Sequence, residues 1–103
     1  MKLTKRQALT VCKELWMWCA ITGRDKCNWP GWKKYGKLKN LCPCCDYNKT
    51  HVKNYCGRAC IIKWPGGSCV SPKSPYYRWM CNDNQMDTAL EIVDLCDKAL
   101  ERL

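Results

Sequence analysis

Residues 4–22, TKRQALTVCKELWMWCAIT, form the longest stretch of the chain with helical spacing, and their reading sets the fold class. Thr4 and Gln7 match a capping box, in which a hydroxyl and an amide satisfy backbone N–H groups of the first turn. Ala8, Val11, Cys12, Leu15, Trp18, Cys19 and Thr22 recur at intervals that place them on one helical face. Gly23 suits the left-handed position that ends a helix. A second stretch at the other end, residues 88–103, repeats the pattern with a stripe of Ala89, Ile92, Val93, Cys96, Ala99, Leu100 and Leu103, and Thr88 with Glu91 as a second capping box. Cys12, Cys19 and Cys96 sit on these apolar stripes, where small thiols pack two helices together.

Between the two helices the character changes. Residues 24–86 hold all five prolines and five of the six glycines, with little helical or alternating periodicity. The expected fold is therefore a small α-plus-irregular single domain over residues 1–103. It has an N-terminal helix (3–23), a basic, aromatic and cysteine-rich centre (24–86) with room for one short β-hairpin, and an acidic C-terminal helix (87–103). A chain of 103 residues and 12.0 kDa is one domain's worth, and it buries roughly 65% of its unfolded surface. A hydrophobic content of 47% excludes a disordered composition. No apolar run approaches the ~20 residues needed to cross a bilayer, so no membrane partner is expected. Met1 to Arg6 are basic but precede no signal-peptide core, and the chain is expected in the cytoplasm.

Eleven cysteines are the compositional anomaly. Six of them, Cys42, Cys44, Cys45, Cys56, Cys60 and Cys69, fall within 28 residues. Cys42 and Cys45 have C-x2-C spacing, and Cys56 and Cys60 have C-x3-C spacing after a ten-residue spacer. Zn2+ takes four soft ligands at about 2.3 Å in a tetrahedron, and two short turns of this kind supply two each. Cys42, Cys45, Cys56 and Cys60 are thus the expected ligands of a structural zinc ion, with Cys44 or Cys69 able to replace one of them. Such a site has no open position for catalysis. A disulfide-rich structural protein is the competing reading, but the odd count leaves one thiol over and no export signal precedes it. Cys42-Pro43-Cys44-Cys45 lacks the strand and helix flanks of a thiol oxidoreductase. His51 is the one histidine, too few for a His-metal nuclease. Nothing else points to an enzyme. Cys27 and Cys81 remain as candidates for a second metal site.

Charge is the second anomaly. The net charge is +9, but residues 1–39 carry ten basic and two acidic side chains, whereas residues 87–103 carry two basic and five acidic. Within residues 24–39, Arg24, Lys26, Lys33, Lys34, Lys37 and Lys39 face only Asp25, and Trp29, Trp32 and Tyr35 are interleaved. Cations that neutralise phosphate next to rings that stack on bases are what loop or single-stranded nucleic acid requires. The alternative is that these rings pack beneath a loop while the lysines are merely solvated. Tyr77, Arg78 and Trp79 form a second aromatic and basic group; Trp64 and Trp79 are expected in core or zinc-shell packing more often than at a contact, while such residues also serve as anchors in protein interfaces.

Several of these motifs together resemble a group of small tailed-phage proteins of unassigned function. The resemblance rests on Leu3-Thr4-Lys5 with Ala8, Glu14-Leu15-Trp16-Met17-Trp18, Tyr35-Gly36, Cys42-Pro43-Cys44-Cys45-Asp46-Tyr47, Cys56 with Cys60, Trp64-Pro65-Gly66-Gly67, Cys69, and Ser74-Pro75-Tyr76-Tyr77-Arg78-Trp79. It implies a phage origin, a bacterial host cytosol and a paired-cysteine zinc knuckle at Cys42, Cys45, Cys56 and Cys60. The second pair is usually C-x2-C in that group, and the basic 24–39 segment is a further departure. The resemblance implies no activity. The expected partner is nucleic acid or a host nucleoprotein complex. The alternative is a host or defence protein, inhibited in the manner of anti-CRISPR proteins.

The cysteine spacing is checked by elemental analysis of protein purified under reducing conditions. About one zinc per chain, with four thiols protected from modification until a chelator is added, is the expected outcome. A metal-free protein with ten oxidised thiols would overturn it.

Overall fold

The computed structural model describes residues 4–35, 61–67, 69–81 and 84–103. The zinc candidates Cys42, Cys44, Cys45, Cys56 and Cys60, together with His51, Lys37 and Lys39, lie outside the described residues.

The first helix, α1 (Lys5–Thr22), follows the sequence pattern at both ends. The Gln7 backbone N–H donates to Thr4 Oγ1 at 3.1 Å, and the Thr4 backbone N–H donates to Gln7 Oε1 at 2.9 Å, completing the capping box. Gly23 adopts φ 71°, and its N–H closes the helix on the Cys19 carbonyl at 2.9 Å. The buried face is wider than the stripe read from spacing. It comprises Ala8, Leu9, Val11, Cys12, Leu15, Trp16, Cys19 and Ala20, while Trp18 is half-buried and Thr22 exposed. The reason is that α1 is covered on two sides, by the C-terminal helix and by a layer of aromatic rings.

After α1 come a 3-10 turn (Lys26–Asn28) and a short helix, α2 (Trp32–Tyr35). A further 3-10 turn spans Pro65–Gly67, and α3 covers Pro75–Met80. Ser74 caps α3 by accepting from the Tyr76 N–H at 3.2 Å, with Pro75 at the first helical position. Among the described residues of the centre, these short helices and turns stand where an irregular chain is expected from composition. No strand occurs among the described residues, so the expected hairpin is not found there.

The C-terminal helix, α4 (Gln85–Glu101), begins three residues before the expected start. Thr88 is no cap: it is buried, and its hydroxyl lies 3.2 Å from both the Asn84 and Gln85 carbonyls. Asn84 supplies the turn instead, at φ 48° and ψ 58°, a left-handed conformation that asparagine tolerates. Glu91, the other half of the expected box, bonds to Arg78. Leu103, expected on the apolar stripe, is exposed, because the helix ends at Glu101.

Helices α1 and α4 pack along their lengths. Leu9, Cys12, Leu15 and Cys19 belong to the same buried cluster as Ala89, Ile92, Val93, Cys96 and Ala99. Small side chains at Cys12, Ala89 and Cys96 let the backbones approach. Burial pushes the Cys19 thiol up to about 12, and the Asp25 carboxylate adds to the rise. Cys19 therefore stays protonated at neutral pH and acts as an apolar packing group. At the surface of the seam Lys13 Nζ meets Asp97 Oδ1 at 2.6 Å, a contact that raises the Lys13 pKa chiefly through the hydrogen bond.

Leu15 is fully buried at the centre of this seam. Leu15→Ala should cost about 2–5 kcal/mol in urea denaturation, through lost transfer energy and a cavity. A loss under about 1 kcal/mol would mean that α1 does not pack on α4 as described.

Candidate nucleic-acid interface

Three backbone devices position the basic segment that follows α1. The Asp25 carboxylate accepts from the Cys27 N–H at 3.0 Å and starts the 3-10 turn. Trp29 is held extended at φ −62° and ψ 123°, and Pro30-Gly31 then turns the chain into α2. The Trp29 indole lies so close over Gly31 that a Cβ there would collide with the ring.

The tryptophans face inward. Trp29 and Trp32 are each only 7% exposed, with ring centroids 5.0 Å apart and an edge-to-face angle of 83°. Trp32 Nε1–H donates to the Lys26 carbonyl at 2.9 Å, which ties α2 back to the preceding turn. Lys26 is half-buried. Its Nζ donates to the Tyr76 hydroxyl at 2.7 Å and lies 4.7 Å from the Tyr76 ring centroid. Tyr76 in turn stacks on Trp79 at 6.0 Å and meets the edge of Trp16 at 5.7 Å. Trp16 and Trp79 form a perpendicular pair at 4.9 Å, and Trp64 flanks Tyr76 at 6.5 Å. One continuous aromatic layer thus connects α1, the Lys26 turn and α3.

This placement sorts the residues expected at a binding surface. Lys33 and Lys34 are exposed on α2, Arg24 is exposed beside Gly23, and Tyr35 is the last residue of α2. Of the two readings open for Trp29 and Trp32, stacking faces or rings packed inward, the structure shows the second: both belong to the buried core cluster. Trp79 is likewise core, at 5% exposure. Tyr77 is 38% exposed, while Arg78 is half-buried and pairs with Glu91 at 2.8 Å. Lys26 belongs to the packing network as much as to the surface. What remains outward is a ledge of cations on a rigidly anchored turn.

Cys27 and Cys81 are exposed, and Cys69 is half-buried against the core. Among the described residues no three His, Cys, Asp or Glu side chains are grouped so as to hold a metal ion. The pairing of Lys26 with Tyr76, fifty residues away, escapes any local reading of the sequence. Ser74-Pro75, by contrast, is a helix-start signal by which α3 is legible. Compared with protein-family models, curated proteins and solved structures, the chain matches none.

The Lys26–Tyr76 contact predicts a graded mutational response. Tyr76→Phe keeps the ring and removes the acceptor, for an expected loss of about 1 kcal/mol. Tyr76→Ala also removes the stack and should cost about 3 kcal/mol. Equal losses for the two variants in thermal unfolding would show that the hydroxyl, not the ring, joins the layer.

Proposed function

We propose that this protein is a non-enzymatic binding module that contacts nucleic acid, or the nucleic acid of a host nucleoprotein complex, through the basic ledge after α1. The observation that carries the reading is the exposure of Lys33 and Lys34 on a helix whose Trp32 is anchored in the core. Lys37 and Lys39 follow directly in the sequence and extend the same run of positive charge. With Trp29 and Trp32 turned inward, contact is by ammonium groups on phosphates rather than by stacking on bases. Such binding is largely independent of sequence and releases counterions, so it weakens steeply with salt.

A structural zinc ion held by Cys42, Cys45, Cys56 and Cys60 belongs to the same proposal, supported by their spacing. Bound zinc would contribute on the order of 10–16 kcal/mol to ordering the centre of the chain. The resemblance of its motifs to those of small tailed-phage proteins is the ground for a phage origin and a bacterial cytosol. No helix among the described residues is long and apolar enough to cross a membrane. A second reading, an inhibitor of a host or defence protein, is favoured by Tyr77 and Met80. They are exposed three residues apart on α3, at 38% and 45%.

The test is a titration of labelled duplex and single-stranded oligonucleotides of equal length. Both should bind, with Lys33→Glu/Lys34→Glu weakening affinity about tenfold or more and flattening the log–log salt slope by about 2. Unchanged affinity and slope in the double variant would sink the nucleic-acid reading. Capture of a protein from nuclease-treated lysate, lost in Tyr77→Ala, would favour the second reading.

A further inference from the structure

Helix α4 presents an open groove of about 440 Å³ toward the Pro65–Gly67 turn and the start of α3. That volume lies within the range of ligand-binding clefts. Its apolar lining is Pro65, Pro75, Leu90 and Leu95, and Leu90 is left 47% exposed, one turn after the similarly exposed Met86. Its charged lining is Asp87, Glu91, Asp94 and Lys98, three carboxylates against one ammonium.

We propose that this groove docks a short basic segment of a partner protein, with an apolar side chain seated on Leu90 and Pro75 and an adjacent Lys or Arg reaching Asp87. The first argument is charge. The chain carries +9 overall, yet five of its nine acidic residues fall in the last seventeen positions. Screening confines an exposed ligand's electrostatics to about 8 Å at physiological salt, so the groove's own carboxylates decide what it attracts. Two of the three are already engaged: Glu91 with Arg78 at 2.8 Å, and Asp94 with Lys98 at 3.0 Å. Asp87 has no ion pair among the described residues. One carboxylate is thus left over beside an uncovered leucine, and a segment pairing one cation with one apolar side chain complements both.

The walls are built before any ligand arrives. Gly66 and Gly67 hold φ 84° and 88°, and a Cβ at Gly66 would collide with the Ser71 side chain, so this turn is tightly folded. Ser74 and Pro75 fix the start of α3, and Arg78 fastens α3 to α4 through Glu91. A preformed groove spares the ordering cost that weakens association. Nucleic acid is disfavoured by the carboxylates, and sedimentation distinguishes a second copy of the chain from a separate partner.

The site stands apart from the basic ledge and is tested separately. Full-length protein labelled with 15N is titrated with the acetylated, amidated peptide Leu-Arg-Leu-Arg, and in parallel with Leu-Glu-Leu-Glu. Backbone shifts centred on Asp87, Leu90 and Glu91 are expected for the basic peptide alone. Asp87→Lys should weaken that binding about tenfold, and Leu90→Ser, a change at an exposed position, should weaken it several-fold. Lys33→Glu/Lys34→Glu should leave it unaltered. Absence of shifts, an equal response to the acidic peptide, or full affinity in Asp87→Lys overturns the proposal. A dimer in sedimentation velocity that Asp87→Lys dissociates also overturns it, because the occupant is then a second copy.

Discussion

The packing of α1 on α4, through Leu9, Cys12, Leu15 and Cys19 on one side and Ala89, Ile92, Val93 and Cys96 on the other, is the contact on which the rest of this small structure is hung. The two helices come from opposite ends of the chain, so their docking closes the loop that contains everything between them. The seam combines fully buried Leu and Ile side chains, which supply most of the apolar area, with thiols and alanines that bring the backbones close. Burial raises the Cys19 pKa, so at neutral pH this thiol packs in the seam as an uncharged group.

A second layer depends on the first. The chain has six tryptophans and no phenylalanine, and the described structure shows what this choice does. Tryptophan and tyrosine have an apolar body and a polar tip, so one side chain can join the core and hold an irregular backbone at the same time. Trp32 does this by donating to the Lys26 carbonyl, and Tyr76 by accepting from the Lys26 ammonium. Phenylalanine would supply the packing without either bond. The short helices and turns of the centre, too brief to be stable alone, are positioned by these contacts.

The same arrangement separates two electrostatic environments. On the segment after α1, buried rings leave cations outward, which suits a phosphate backbone. On α4 the acidic residues stand around Leu90 beside the proline-rich turn, which suits a cationic, partly apolar segment. The two contacts proposed above therefore fall on different surfaces of one small domain.

The sequence by itself determined the elements whose causes are local. The capping box at Thr4 and Gln7, the left-handed stop at Gly23 and most of the apolar stripes of both terminal helices are each set within a few residues, and the structure reproduces them except at Trp18, Thr22 and Leu103. The charge asymmetry and the paired spacing of Cys42, Cys45, Cys56 and Cys60, on which the zinc proposal rests, are likewise properties of order along the chain. Tertiary structure decided which way the rings of Trp29, Trp32 and Trp79 point, because a tryptophan between lysines has the same sequence neighbours whether it is a stacking surface or a core residue. It also moved the start of α4 ahead of Thr88, whose buried hydroxyl turns back on its own helix rather than capping it. The groove at Leu90 and the bond between Lys26 and Tyr76 join residues far apart in sequence, and such contacts exist only once the two end helices have closed the chain around them.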